Sequence, residues 1–388
     1  MIRYLAKRFL SSLVALFLFL TLMFFVAQII IPTDFTTQFA LMMNQEAREE
    51  LAQELGIDRP LWEQYCNWLR LLGSGSLGTS FYGYPVIEAL EALLPYTLLL
   101  FLPGTLIAFT FGRWLGKVIA WRGPGLVASS ATFGAITLYT TFPPWLAFLM
   151  TYFLARHLKF FRAPFTRNPF DTIRREVWRD FVPETVMLYM ALTFVAVWLI
   201  LPVVNRLLKR TLRRQLHPLI QILLLVAGTI GCWRMFGFGP QALDILAVAS
   251  LPLLTYVLLS FGETMLIMQT SMMDTIQEDY ITTARAKGLP DYVVRDKHAA
   301  RNALLPVFSR LVISLPYLLT GLVIIEDVLD WPGISGALFN SMYNQDIPMV
   351  MGSLLMVGVL TVVARLVLDI LYAYLDPRIR SSIELPTK

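Results

Sequence analysis

Hydrophobic and polar residues fall in blocks along this chain rather than alternating position by position. Uncharged or nearly uncharged runs cover Phe9 to Ile31, Leu94 to Phe111, Leu126 to Ala155 and Thr185 to Asn205. A weaker run lies near Leu216 to Trp233, and three more follow at Ile245 to Met273, Ala303 to Ile325 and Met349 to Leu368. A hydrocarbon core of about 30 Å takes roughly 20 apolar helical residues to cross. The pattern therefore predicts eight membrane spans. Lipid offers backbone N–H and C=O groups no partner, so each span is expected to be helical; a barrel would show short alternating strands instead. Pro95, Pro103, Pro143, Pro144 and Pro316 fall in these runs and predict kinks. The expected fold class is an all-α, polytopic transmembrane helical bundle.

Composition agrees with the pattern. Of 388 residues, 56% are hydrophobic and 15% charged, and the mean hydropathy is +0.62, which excludes an ordinary soluble domain. Arg3, Lys7 and Arg8 precede the first run as in a signal peptide. That run exceeds the roughly 7 to 15 residues of a signal h-region, and bulky residues at Gln28 to Pro32 leave no small-residue cleavage site. A retained first helix is expected.

The net charge of +5 comes from basic residues clustered in the links between spans, a pattern that sets orientation rather than binding nucleic acid. With the basic N-terminus inside, segment 32–93 falls outside and is acidic, carrying Glu46, Glu49, Glu50, Glu54, Asp58 and Glu63. The loop with Arg113, Lys117 and Arg122 falls inside, as do the link Arg206 to Arg214 and the stretch 274–301. Both termini are then cytoplasmic. Loop 156–183 falls outside yet carries seven basic residues, from Arg156 to Arg179, and reads as an interfacial or protein-contacting segment.

Few residues suggest chemistry of their own. Cys66 and Cys232 lie far apart, and His157, His217 and His298 have no metal-ligand spacing. The glycine-rich stretch Gly73 to Gly78 lacks the Gly-Lys-Ser/Thr ending of a phosphate-binding loop. No catalytic residue, metal or cofactor is expected in this chain. Glu263 sits within a span and cannot cheaply face lipid, so it is expected to point to the interior, a cavity or a partner. Arg365 and Asp369, at i and i+4, are expected to pair with each other.

The most informative stretch is Asp274 to Pro306, a charged loop between two apolar runs. Ile276, Tyr280 and Ala284 share an i, i+4, i+8 stripe. Glu278 and Asp279 suit the positive end of a short helix, and Arg285 and Lys287 its negative end. Gly288 is a natural C′ stop, and Pro290 with Asp291 can open a second helix reaching Ala300. Such a helix, turn and helix would make a rigid knob suited to a partner's groove. On pattern alone, an ordinary solvated loop remains the commoner reading.

A resemblance weighs against that reading. Thr282-Thr283-Ala284, three residues and then Gly288 resembles the EAA signature of ABC importer permeases, with threonines in place of its first two letters. EDYITTARAKG followed by HAARNALLP is similar to the oligopeptide/dipeptide-permease form. Leu55 to Leu69 and Gly75 to Phe81 resemble that family's first external segment, Glu326 to Gly352 its last external loop, and Leu368 to Arg380 its C-terminus. Phe160 to about Gly239 matches nothing in the pattern; the family usually has six spans, and this block would supply two more.

The resemblance implies a permease subunit in a bacterial or archaeal cytoplasmic membrane, forming half a pore with a second homologous permease. Two ATPase subunits, which hold ATP and Mg, and an external solute-binding protein would complete the machine. It implies coupling to the ATPase through Thr282, Thr283, Ala284, Arg285, Ala286, Lys287 and Gly288, and a pathway or interior place for Glu263 and Glu326. The expected division is a first helix (1–31), an external segment (32–93), spans two and three (94–155), an inserted block (156–240) and a core with the coupling loop (241–380). A secondary transporter should instead show internal repeats and several intramembrane charges, and a membrane-embedded enzyme converging catalytic groups. The solute, whether peptide, nickel chelate or sugar, is not specified.

Overall fold

The computed structural model describes residues 2–30, 35–36, 42–159, 161, 178, 180–212 and 218–375. Fourteen α-helices are found among them: α1 (Ile2–Ile30), α2 (Gln45–Leu55), α3 (Leu61–Gly73), α4 (Val86–Arg122), α5 (Leu126–Thr140), α6 (Pro143–Met150), α7 (Pro183–Leu212), α8 (Pro218–Met235), α9 (Gly239–Ile276), α10 (Asp279–Ala286), α11 (Asp291–Val293), α12 (Ala300–Val328), α13 (Ile334–Tyr343) and α14 (Ile347–Leu375). Short π-helical turns at Thr151–His157 and Val294–Ala299 extend α6 and join α11 to α12. Arg162, Arg167, Arg174, Arg175 and Arg179 of the basic loop, Arg213 and Arg214 of the basic link, and the C-terminal Asp376 to Arg380 lie outside the described residues.

Among the described residues, five helices are long and apolar enough to cross a membrane: α1, α4, α7, α9 and α14. The run Leu126 to Ala155, expected to be one span, is instead two helices, α5 and α6, meeting at 109°. Steric clash with a following proline drives the preceding residue out of the helical region. Thr141 and Phe142 accordingly sit at ψ 136° and 119°, and Pro143 starts the next helix. Pro95 and Pro103, by contrast, leave α4 continuous. α8 has 18 residues, about 27 Å, and its apolar stretch falls just short of a full crossing.

The chain divides into two bodies. In the first, α1 lies along α14, with Leu20, Phe24 and Met351 buried between them. Leu16 covers Gly358, where a Cβ would strike its side chain. Near the other end of this helix pair, Arg8 Nε lies 2.7 Å from Asp369 Oδ2, and the Asp369 side chain is only 4% exposed. The expected Arg365–Asp369 pair is thus replaced by one across two helices. Packing on α14 brings Arg8 to the carboxylate, and a through-space partner at that distance outweighs the weak preference of an i, i+4 pair. Around the first turn of α14, Val86, Leu90, Ile334 and Met349 form a second apolar cluster.

The same body carries a buried carboxylate. Asp346 caps α14, Oδ1 accepting from the Met349 N–H at 3.4 Å, and it also accepts from the Phe81 N–H at 3.2 Å and from the Ser80 hydroxyl. A side chain of which 1% is exposed therefore ties loop 80–82 to a helix N-terminus.

In the second body α9 is the central element, packed on α4, α5 and α7. Contact with α4 is close because glycines face carbonyls: a Cβ at Gly112 would sit 2.6 Å from the Phe261 oxygen, and one at Gly116 would collide with that of Met265. Four-residue spacing puts both glycines on one face, as helix pairs in lipid require when attraction comes from packing alone. On the α5 side, Gly262 meets the Ala135 carbonyl in the same way. α7 joins α4 through Trp198 Nε1 donating to Thr110 (3.2 Å), and α8 joins α7 through Trp233 Nε1 donating to Thr193 (3.0 Å). Their outer faces, with Leu199, Ile200, Leu223 and Val226, are exposed and apolar.

Candidate functional site

At 38 residues α9 is about 57 Å long, so roughly 25 Å of it projects beyond a hydrocarbon core. Ile276 ends the helix, and the chain turns at Gln277 and Glu278 into α10. Lys287 closes α10, and Gly288 follows with φ +73°, the left-handed conformation a C′ glycine adopts without the Cβ clash. Its N–H donates to the Arg285 carbonyl at 2.9 Å. From Pro290 the chain enters α11, the π turn and α12 without interruption. Helix, glycine turn and second helix stand where the residues predicted them.

The orientation of α10 differs from the expected stripe. Ile281 and Ala284 point inward, 0% and 5% exposed, and pack with Met268, Met272, Val294 and Ala303. Tyr280 is exposed, its hydroxyl accepting from Asn302 Nδ2 at 2.8 Å. Ile276 belongs to α9, so the turn breaks the helical phase that would have aligned it with Tyr280 and Ala284. Ala284 therefore faces this chain's own core, not a partner. Thr282, Thr283, Arg285, Ala286, Lys287 and Gly288 are all exposed.

Contacts with α4 and α12 hold the knob. Lys117 Nζ reaches Asp296 Oδ1 at 2.8 Å, and Arg295 grips the same carboxylate with Nε and Nη2 at 2.9 and 2.8 Å. Burial alone would raise the Asp296 pKa, but the hydrogen bonds and charges of Arg295 and Lys117 outweigh it and hold the carboxyl below its ordinary value. The Arg285 guanidinium stands 5.2 Å over the Trp121 ring.

Glu263 pairs with Arg310, Nε to Oε1 at 2.7 Å, with the Tyr139 phenol beside the guanidinium. Glu263 is 13 residues above the end of α9 and Arg310 ten above the start of α12, about 20 and 15 Å. The pair thus bridges the two helices that flank the knob. Arg310 went unnoticed in sequence, although a lone cation ten residues into an apolar helix was the signal for it. Glu326, 0% exposed, is interior. Trp121 and Asn302 were not singled out either, and Lys117 was read only for orientation, because their roles at the knob arise only from folding.

Residues 104–381 match the family described as "Binding-protein-dependent transport system inner membrane component", and residues 1–100 match its N-terminal counterpart. The chain belongs to this family. It is therefore a multi-pass inner-membrane permease subunit of an ABC importer, a transport component rather than an enzyme. The matched range runs across the block 156–240 that the sequence pattern set apart. Similar proteins include the oligopeptide transport system permease protein AppB of Bacillus subtilis, 28% identical over 98% of this chain and 99% of the relative. The dipeptide transport system permease proteins DppB of Lactococcus lactis and Escherichia coli are 27% and 25% identical over 98% of this chain, covering 100% and 99% of theirs.

Proposed function

We propose that this permease forms half of a pathway for peptides, beside a second homologous permease, and that its knob docks in one of two ATPase subunits. The single observation that supports coupling is the division of labour on α10: Ile281 and Ala284 fix the helix to this chain, while Thr282, Thr283, Arg285, Ala286, Lys287 and Gly288 stay exposed. A rigidly mounted, outward-facing edge can carry force where a loose loop cannot. Peptide as cargo is supported by the names of the relatives, spread over nearly the whole chain. ATP and Mg belong to the ATPases, and an external binding protein delivers the solute. In this reading both termini, the knob and the link Arg206 to Arg214 are cytoplasmic, and segment 32–93 is external.

The mechanism follows from the mounting. When the ATPases close on ATP, the knob moves with them. Its contacts with α4 through Lys117 and Trp121, and its continuity with α9 and α12, pass that displacement into the helix bundle.

The test uses exposed positions only, since Ala284 would fail by unfolding. Thr282→Glu and Ala286→Trp should leave membrane insertion and thermal stability unchanged, because surface substitutions shift stability by about 0.5 kcal/mol or less. Both should abolish binding-protein-stimulated ATP hydrolysis and peptide uptake in reconstituted vesicles. Full stimulation in both variants would overturn the docking assignment.

A further inference from the structure

The link between α1 and α4 was expected to lie outside the membrane, yet one helix of it is anchored at the depth of a span. α3 places Leu61, Trp62, Tyr65, Cys66 and Leu69 along one side and Glu63, Asn67 and Arg70 along the other. Its Tyr65 hydroxyl lies 2.9 Å from Thr21 Oγ1, and its ring meets Phe24 and Phe25 with centroids 5.4 and 5.2 Å away. The Trp68 ring lies tilted against Phe24 with centroids 5.7 Å apart, and the Gln64 amide oxygen accepts from Gln28 at 3.1 Å.

All these partners belong to the span Arg8–Gln28. Thr21 stands seven residues before the end of that span, about 10 Å inside it. Tyr65 and Trp68 pack against the buried cluster of Leu20, Phe24 and Met351, the last of which lies near the start of the span Ile347–Ile370. Contacts with α1, and with the cluster that α1 shares with α14, therefore place α3 at the depth of a span.

Those contacts use only part of the apolar side. Trp62 is 64% exposed and Leu61 44%, and Cys66 is exposed as well. The span α1, on which α3 packs, likewise leaves apolar side chains open, with Leu18 and Leu22 61% and 58% exposed. We propose that α3 is an interfacial helix that lies in the bilayer at the Gln28 end of α1. Trp62, Cys66 and Leu69 face the boundary between headgroups and acyl chains, and Asn67 and Arg70 face water. The occupant of the open face is membrane lipid. Tryptophan suits that boundary because its large apolar ring carries one polar N–H. In this position α3 holds α1 and α14 at a set depth, and it does so whether or not the coupling assignment stands.

Native Cys66 supplies the probe. A nitroxide is attached to the full-length Cys232→Ser protein in vesicles of phosphatidylethanolamine and phosphatidylglycerol. Its collisions with oxygen, which concentrates in lipid, are compared with those with a water-soluble nickel chelate. A second protein carries the label through Asn67→Cys in a background of Cys66→Ser and Cys232→Ser. The Cys66 label should collide several-fold more with oxygen than with nickel, and the Asn67 label should show the reverse. Nickel-dominated collisions at both positions overturn the proposal, placing α3 in water. Shielding of Cys66 from both reagents overturns it too, because protein would then cover the face.

Discussion

The Asp346 end of the first body and the knob of the second both hold a polar segment against helix ends, but they do so by different means. Asp346 is 1% exposed and gathers the Ser80 hydroxyl and the Phe81 and Met349 N–H groups on one carboxylate. The knob rests on Lys117 and Asp296, whose side chains are 22% and 41% exposed, and on a cation over a ring. Its inner side, with Ile281, Ala284, Val294 and Ala299, is closed to solvent. A buried acceptor strands several donors when it is removed, whereas a solvated ion pair is replaced by water at little cost. One region is thus locked and the other mounted firmly yet open to adjustment. A part that must pass on a partner's movement suits the second arrangement.

The largest expected effect breaks the locked region. Asp346→Ala leaves two N–H groups and a hydroxyl without their acceptor and should lower stability by about 3 kcal/mol or more, read as thermal unfolding of the purified protein. A loss under about 1 kcal/mol would show that this end is not locked. Ala284→Glu should come next, at about 3 kcal/mol, since it forces a charge into a packed apolar cluster. Ala286→Glu, two residues on, should stay within about 0.5 kcal/mol in the same assay. Equal losses in the two variants would contradict the assigned face of α10.

The Glu263–Arg310 pair falls between the extremes. Glu263 is 15% exposed and Arg310 50%, so Arg310→Met should cost about 1 to 2 kcal/mol by leaving a mostly buried carboxylate without its partner. The double variant Glu263→Gln with Arg310→Met should recover part of that loss, as a double-mutant cycle would measure.

The smallest effect is at the knob's own ion pair, where a cycle of Lys117→Met and Asp296→Asn should give a coupling below about 1 kcal/mol. Its pH dependence sharpens the contrast. The Asp296 pKa is lowered on folding, so its contribution is complete above the unfolded carboxylate value, about 3.9, and is lost only as pH falls through the lower folded value. Amide-exchange protection of α10, corrected for intrinsic rates, should be flat between pH 8 and 5 and decline only in acid. Asp296→Asn should remove that acid-dependent decline. A decline centred near neutrality would assign control of the knob to another group.

Much of this was legible along the chain because membrane insertion reads local sums. Twenty apolar residues lower the transfer free energy of a helix wherever its neighbours lie, so α1, α4, α7, α9 and α14 could be placed from composition alone. Gly288 was equally local: a left-handed residue after a short amphipathic helix depends on a few adjoining positions. Pro143 and Pro144 signalled a bend, although the complete break between α5 and α6 was not foreseen.

Choices between partners lay beyond such reading. Asp369 could meet Arg365 four residues away or Arg8 some 360 residues earlier, and only the packing of α1 on α14 selects Arg8. Glu263 announced that it needed company, but α12 had to fold beside α9 for that company to be Arg310. The face of α10 turned on the bend at Gln277 and Glu278, which reset the helical phase between Ile276 and Ala284. Sequence by itself determined where helices form and where they stop, because those free energies accrue over neighbouring residues. Tertiary structure decided which polar groups meet and which face of the knob is open, because such contacts depend on distances between helices that no single segment contains.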